Sequence, residues 1–171
     1  EEPKDFGDQQ TCDHIILGKG EESVLHDKAA LVCLDRGTRW MDSFPDETND
    51  YDCSYRALQS FNGTLKPKLI FTDVSGELKK SCKNLGYSQD TCTPHKPQSN
   101  GVAERAVRRT KEGTACQMVQ SGFMAAWWHL ASEAVEVLLP GSTQAITDFL
   151  RAFHCHDDRV VCLHVAKHLC L

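Results

Sequence analysis

The sequence predicts an α/β fold: a five-stranded mixed sheet of three antiparallel meander strands and two parallel strands, flanked by helices. Three short apolar segments come first and are separated by turns, which is the pattern of an antiparallel meander. Two further short segments, residues 68–72 and 90–93, each follow a stretch of helical periodicity, which is the pattern of β-α units with parallel strands. Amphipathic stretches then provide helices to cover the sheet.

The meander strands are predicted over residues 10–17, 29–35 and 38–44, because each segment is short and rich in apolar or β-branched side chains. Residues 36–37 form a tight turn between the second and third strands. Pro45 lacks a backbone N–H and is therefore expected to end the third strand.

The next part of the chain alternates helices and strands. A helix is predicted over residues 49–61, where aromatic and apolar side chains recur at helical spacing. The fourth strand, residues 68–72, leads directly into Asp73. A helix over residues 76–85 and a fifth strand over residues 90–93 complete the sheet.

Two helices are predicted after the sheet. A loop with two prolines and an Asn-Gly turn, residues 94–101, precedes a long helix over residues 102–121. Another helix follows over residues 123–139. We therefore expect one domain over residues 6–140 and a divergent tail over residues 141–171.

The composition is that of a globular domain. Of 171 residues, 40% are hydrophobic, and no apolar run approaches the roughly 20 residues that span a bilayer. Nine cysteines without a secretory signal indicate reduced thiols in an intracellular protein. The net charge of −5 conceals a basic block, because residues 64–113 hold 10 basic and 5 acidic side chains. Such a block provides the local positive field that phosphate binding requires.

Three carboxylates occupy positions that strand geometry can bring together. Asp13 interrupts an apolar strand, Asp73 follows the end of the fourth strand, and Glu104 lies at the start of the long helix. Clustered carboxylates repel one another unless a cation neutralises them, and Mg²⁺ prefers oxygen ligands. Two such ions can activate an attacking oxygen and stabilise a leaving one in phosphodiester cleavage. Other acidic residues compete for these roles, namely Asp35, Asp42 and Glu77.

A basic ridge follows Glu104 on the same predicted helix. Arg105, Arg108 and Arg109 share one helical face, and Lys111 follows them. Basic side chains beside metal-binding carboxylates are well placed to bind DNA phosphates. The opposite face of the helix is apolar and is expected to pack on the sheet.

Several segments resemble the catalytic core of retroviral and copia-type retrotransposon integrases. FGDQQTCDHI, residues 6–15, resembles the strand of the first catalytic Asp, and IFTDVSGEL, residues 70–78, that of the second. SGFMAAWWHLASEAV, residues 121–135, is similar to the helix after the catalytic one. The most specific match is the segment around the glutamate, in which the family residues are Pro94, Pro97, Gln98, Asn100, Gly101, Val102, Ala103, Glu104 and Arg105.

The resemblance implies an RNase H-like fold and a polynucleotidyl transferase that uses Mg²⁺ or Mn²⁺, two ions in the active complex. It implies processing of the 3′ ends of element DNA and their transfer into target DNA in the nucleus, by a homodimer or higher oligomer. Asp13, Asp73 and Glu104 would be the catalytic and metal-binding residues. The DNA-binding residues would be Gln98 and Asn100 in a mobile loop and Arg105, Arg108, Arg109 and Lys111 on the helix.

Two alternative functions stay open. Thirty residues separate Asp73 from Glu104, fewer than is usual in the family. This short interval favours the first alternative, an integrase-derived module that binds nucleic acid without catalysis. An RNase H-type nuclease would need a further carboxylate, for which Asp148 and Asp157 are the candidates. The tail also holds His and Cys residues between positions 154 and 170 that zinc could bind, although no paired spacing organises them.

Overall fold

The computed structural model of the chain describes residues 2–73, 75–91 and 97–135; for Thr91 and residues 97–100 it describes the backbone alone. The predicted tail lies outside these residues, so the division into residues 6–140 and 141–171 stays a prediction. No helix in the described part is long and apolar enough to cross a membrane.

The sheet has five strands in the order β3-β2-β1-β4-β5. β1 pairs antiparallel with β2, and β2 with β3, whereas β1–β4 and β4–β5 are parallel pairs. The predicted mixed sheet is therefore confirmed. The strands are β1 (Gln10–Ile16), β2 (Ala29–Asp35), β3 (Met41–Asp46), β4 (Ile70–Thr72) and β5 (Gln89–Thr91).

The prediction for the third strand was wrong in its bounds. β3 begins at Met41 and continues through Pro45, which pairs with Ala30. A proline is tolerated there because β3 is an edge strand, so its missing N–H removes no bond from a central ladder. The turn before β3 extends over residues 36–38, and Arg39 adopts a left-handed backbone conformation with φ of 68°.

Helices cover both faces of the sheet, each over its own core. α1 and α2 pack on one face, where Cys12, Leu58 and Leu78 are fully buried. α3 and α4 pack on the other face, over Ile15, Val32 and their neighbours. Successive residues of β1 and β2 contribute alternately to the two cores, because neighbouring side chains of a strand point to opposite faces of the sheet. The helices are α1 (Tyr51–Asn62), α2 (Gly76–Leu85), α3 (Pro97–Ser121) and α4 (Trp128–Ala134).

Two helix predictions need correction. α3 begins at Pro97, five residues before its predicted start, because a proline's fixed φ suits the first helical position. The predicted helix over residues 123–139 is a short 3₁₀ turn, Ala125–Trp127, followed by α4 up to Ala134. The rest of that prediction falls outside the described residues.

Candidate active site

Asp13 and Asp73 lie side by side at the centre of the sheet. β1 and β4 run parallel, with Cys12 aligned to Thr72, and each aspartate is the next residue along its chain. Neighbouring strands are about 4.8 Å apart, and aligned residues of a parallel pair point to the same face. The two carboxyl groups therefore share one face of the sheet, as the strand-end positions predicted.

Glu104 approaches this pair from α3. The helix packs across β1 and β2 through Ala103 and Ala106, which are buried, while Glu104 itself is exposed. Glu104 lies two turns into α3, so its predicted place in the first turn was wrong. Its negative charge is one of the causes that raise the pKa of the Asp13 carboxyl.

The pKa of the Asp13 carboxyl is raised, and burial is the largest cause. The negative charges of Asp73 and Glu104 raise this pKa further. Two groups act in the opposite direction: the backbone N–H of His14, which donates to Asp13 Oδ1 at 2.8 Å, and the cation of Lys111. The three predicted carboxylates thus belong to one electrostatic site that disfavours a further negative charge.

The carboxylate oxygens of Asp13, Asp73 and Glu104 are chemically suited to bind a divalent cation. Carboxylate oxygens are the ligands that Mg²⁺ prefers, and a cation would relieve the repulsion that raises the pKa of Asp13. The described residues contain no group of three or more His, Cys, Asp or Glu side chains already close enough to hold a metal ion. Binding an ion would therefore require the side chains of Asp13, Asp73 and Glu104 to draw together.

His14 is a neighbour of the site that the sequence analysis did not single out. Its Nε2 lies 3.2 Å from Ser54 Oγ of α1, on the opposite face from Asp13. Burial lowers the pKa of His14, and the charges of Asp73 and Glu77 oppose that shift. In the sequence, His14 could be noticed only as a histidine directly after Asp13 in an apolar strand. A core histidine that forms a hydrogen bond has the same sequence context, so this position did not identify a site residue.

The competing carboxylates do not join this electrostatic group. Asp35 is fully buried and organises the turn after β2. Asp42 is half-buried on the edge strand β3. Glu77 is exposed in the first turn of α2 and influences His14 rather than Asp13. Asp13, Asp73 and Glu104 thus remain the best-supported set.

The predicted DNA-binding residues all lie on α3. Gln98 and Asn100 are in its first turn rather than in a loop, so the prediction of a mobile loop at these positions was wrong. The four predicted cations are exposed, and in the described part of the chain none of them forms an ion pair. They are Arg105, Arg108, Arg109 and Lys111.

The fold is similar to that of two viral proteins. The catalytic core domain of BIV integrase matches with a TM-score of 0.56 and 16% identity, over 87% of this chain and 97% of that chain. The simian T-cell lymphotropic virus intasome, solved with PP2A regulatory subunit B56 gamma, matches with a TM-score of 0.59 and 16% identity, over 78% of this chain and 49% of that chain. No family model and no curated protein matches the chain. The RNase H-like fold of integrase cores is therefore confirmed at the level of architecture.

Proposed function

We propose that this chain is the catalytic core of a retroelement integrase, a polynucleotidyl transferase that acts on DNA. The observation that carries the proposal is that Asp13 and Asp73 directly follow the aligned residues Cys12 and Thr72 of β1 and β4, with the Glu104 charge acting on the same site. The likeness in fold to the BIV integrase core supports it. In this account the chain processes the 3′ ends of element DNA and transfers them into target DNA.

Asp13, Asp73 and Glu104 are the residues that would hold Mg²⁺ or Mn²⁺. Such ions, when two are bound, activate the attacking oxygen and stabilise the leaving oxygen of a phosphodiester. The sheet supplies rigidity, since Asp13 lies in β1 and Asp73 directly follows β4, and these two strands are paired as far as Cys12 and Thr72. Glu104, on a separate helix that already packs on the sheet, would complete the set when its side chain draws towards the two aspartates.

The exposed cations of α3 would bind the DNA strand. Guanidinium groups match the geometry of phosphate oxygens, and contacts to phosphates fix the register of a nucleic acid without reading its sequence. Arg105, Arg108, Arg109 and Lys111 would hold the backbone, while Gln98 and Asn100, near the start of α3, would lie close to the reacting end.

A homodimer or higher oligomer in the nucleus is part of the same proposal. Each element has two ends, so concerted transfer requires two sets of catalytic residues. The simian T-cell lymphotropic virus neighbour was solved as an intasome.

A catalytically inactive, nucleic-acid-binding derivative is the second candidate function. It is favoured by the absence of a preformed ligand group among the described residues. Calorimetric titration with Mn²⁺ separates the two candidates. An active site should bind the ion and should lose that binding in Asp73→Asn, whereas an inactive derivative should show no binding that depends on Asp73. The RNase H alternative rests on Asp148 and Asp157, which lie outside the described residues.

The proposed activity is tested with the whole chain, a labelled duplex and Mn²⁺. We expect metal-dependent nicking and joining of DNA strands, and loss of both in Glu104→Gln. Glu112→Gln is the matched control, because Glu112 is an exposed glutamate two turns further along the same helix. Equal activity of the Glu104 variant and the control would refute the assignment, and preferential cleavage of an RNA–DNA hybrid would favour the RNase H alternative.

A further inference from the structure

A cavity of about 370 Å³ lies between the β2–β3 turn and α3, outside the carboxylate site. Three of its lining residues are arginines from two separate elements: Arg36 and Arg39 from the turn and Arg105 from α3. We call this cavity the arginine pocket. Among the described residues, Glu2 is the one acidic residue that lines it.

Among the residues that the structure describes, none of the three guanidinium groups forms an ion pair. Within residues 2–73, 75–91 and 97–135, the ion pairs join Lys28 to Glu22, Arg56 to Asp46 and Lys68 to Asp8. None involves an arginine of the pocket. Like charges that converge on a cavity repel one another, so the arrangement favours a bound anion.

The turn that carries Arg36 and Arg39 is rigidly built. The carboxylate of Asp35, which is fully buried, accepts hydrogen bonds at 2.8 Å from the backbone N–H groups of Gly7 and Thr38 and from the Thr38 hydroxyl. Gly37 has no room for a Cβ, because the backbone of Asp5 lies against it. The two arginines therefore project from a preorganised turn, which lowers the entropic cost of binding a ligand.

The pocket opens on the same face of the sheet as the carboxylate site. The Arg36 guanidinium lies 5.5 Å from the centroid of the Phe71 ring. Phe71 precedes Asp73 by two residues, so both side chains lie on one face, about 7 Å apart along the strand. On α3, Arg105 is the residue next to Glu104. One extended polyanion can thus reach both sites.

We propose that the arginine pocket binds a phosphodiester group of the DNA strand whose neighbouring segment enters the carboxylate site. The choice of DNA rests on the proposed function. Planar guanidinium groups can each donate two hydrogen bonds to phosphate oxygens, which makes arginine suited to this ligand. The pocket anchors the backbone and thereby sets the position of the strand on the sheet, without reading bases.

The test is the affinity of the whole chain for a fluorescent DNA duplex, measured by anisotropy over a range of salt concentrations. The pocket variant is Arg36→Gln with Arg39→Asn, since asparagine tolerates the left-handed backbone at position 39. Lys66→Gln with Lys83→Gln removes the same charge from exposed positions elsewhere. Arg105→Gln, on the exposed face of α3, serves as a second pocket variant, and thermal unfolding verifies that each variant is folded.

We expect the pocket variant to bind DNA about ten-fold more weakly near 0.1 M salt, with a salt dependence less steep by about one released counterion. The control should change affinity less than two-fold, and Glu2→Gln should strengthen binding because it removes a negative charge from the lining of the pocket. An equal loss in the pocket variant and the control would overturn the inference. So would a pocket that binds inorganic phosphate while the duplex affinity does not depend on Arg36 and Arg39.

The outcome is separable from that of the proposed function. DNA binding that depends on the pocket, in a chain that never nicks DNA with Mn²⁺, would uphold the pocket and refute the transferase. Metal-dependent nicking with unaltered DNA affinity in both pocket variants would uphold the transferase and refute the pocket.

Discussion

Asp13 and Asp73 directly follow the aligned residues Cys12 and Thr72 of a parallel strand pair, although sixty positions separate the two aspartates in the chain. The alignment of Cys12 with Thr72 fixes this relationship, and the hydrogen-bonded ladder maintains it. Asp73 is held further by a hydrogen bond of 3.1 Å from the Ser75 N–H to its Oδ1. The positions of the two carboxylates are therefore a property of the sheet, whereas that of Glu104 depends on how α3 packs.

Asp42 is expected to destabilise the fold at neutral pH. Burial raises its pKa to about 6, although the Ser43 N–H donates to its carboxylate. An unfolded aspartate titrates near 3.9, so the folded state binds the extra proton between these values, and stability falls as the pH rises through that window. Asp42→Asn should raise the free energy of unfolding by roughly 1–2 kcal/mol at pH 7.5.

The measurement is urea unfolding of both proteins at pH 7.5 and at pH 4. The advantage of Asp42→Asn should shrink towards pH 4, where the native carboxyl is already protonated. An advantage that is independent of pH would contradict the assigned cause.

Asp35 is expected to be essential for the β2–β3 turn. Asp35→Ala leaves the buried N–H of Gly7 and the two Thr38 donors without their acceptor, at a cost of roughly 2–4 kcal/mol in the free energy of unfolding. Asp35→Asn keeps one acceptor oxygen and should lose less. Chemical denaturation checks both, and equal stability of the wild type and the alanine variant would show that the turn does not depend on Asp35.

The core beneath α1 provides a direct test of the packing. Leu58 is 0% exposed, so Leu58→Ala should reduce the free energy of unfolding by about 2–5 kcal/mol. Leu25 is 62% exposed, so the same truncation there should cost less than about 0.5 kcal/mol. Similar losses at the two positions, measured by denaturant titration, would contradict the assignment of α1 to this face.

The described cysteines should differ sharply in reactivity. Cys116 is exposed, whereas Cys12, Cys33 and Cys82 are buried, and burial raises the pKa of the Cys82 thiol to about 12. Because the thiolate is the reactive form, iodoacetamide at pH 8 should label Cys116 first and the three buried thiols only on unfolding. Peptide mapping by mass spectrometry measures the order, and early labelling of Cys82 would refute it.

The sheet was predictable because its determinants are local. The apolar pattern of β1 and β2 has the period and length of strands, and the segment before Asp73 ends where β4 ends. The bounds of β3 were not predictable in the same way. Whether Pro45 ends a strand depends on whether that strand has a neighbour on its outer side, and this is a property of the assembled sheet.

The start of α3 is a second feature that could not be predicted from the sequence. The Asn100–Gly101 pair indicates a turn, yet both residues lie within a helix that begins at Pro97. Packing of Ala103 and Ala106 on the sheet outweighs the weak local preference. The arginine pocket was likewise beyond a sequence reading, because the proximity of Arg36 and Arg39 to Arg105 arises only when α3 crosses the sheet.

Anomalous scattering from crystals of the whole chain, grown with Mn²⁺, would locate the bound ion and so test whether Asp13, Asp73 and Glu104 bind metal. We expect an anomalous peak between the Asp13 and Asp73 carboxylates, with Glu104 drawn towards it, and no such peak in crystals of Asp73→Asn. Manganese bound elsewhere, or a peak that persists in the Asp73 variant, would contradict the assignment of these carboxylates as the metal-binding site.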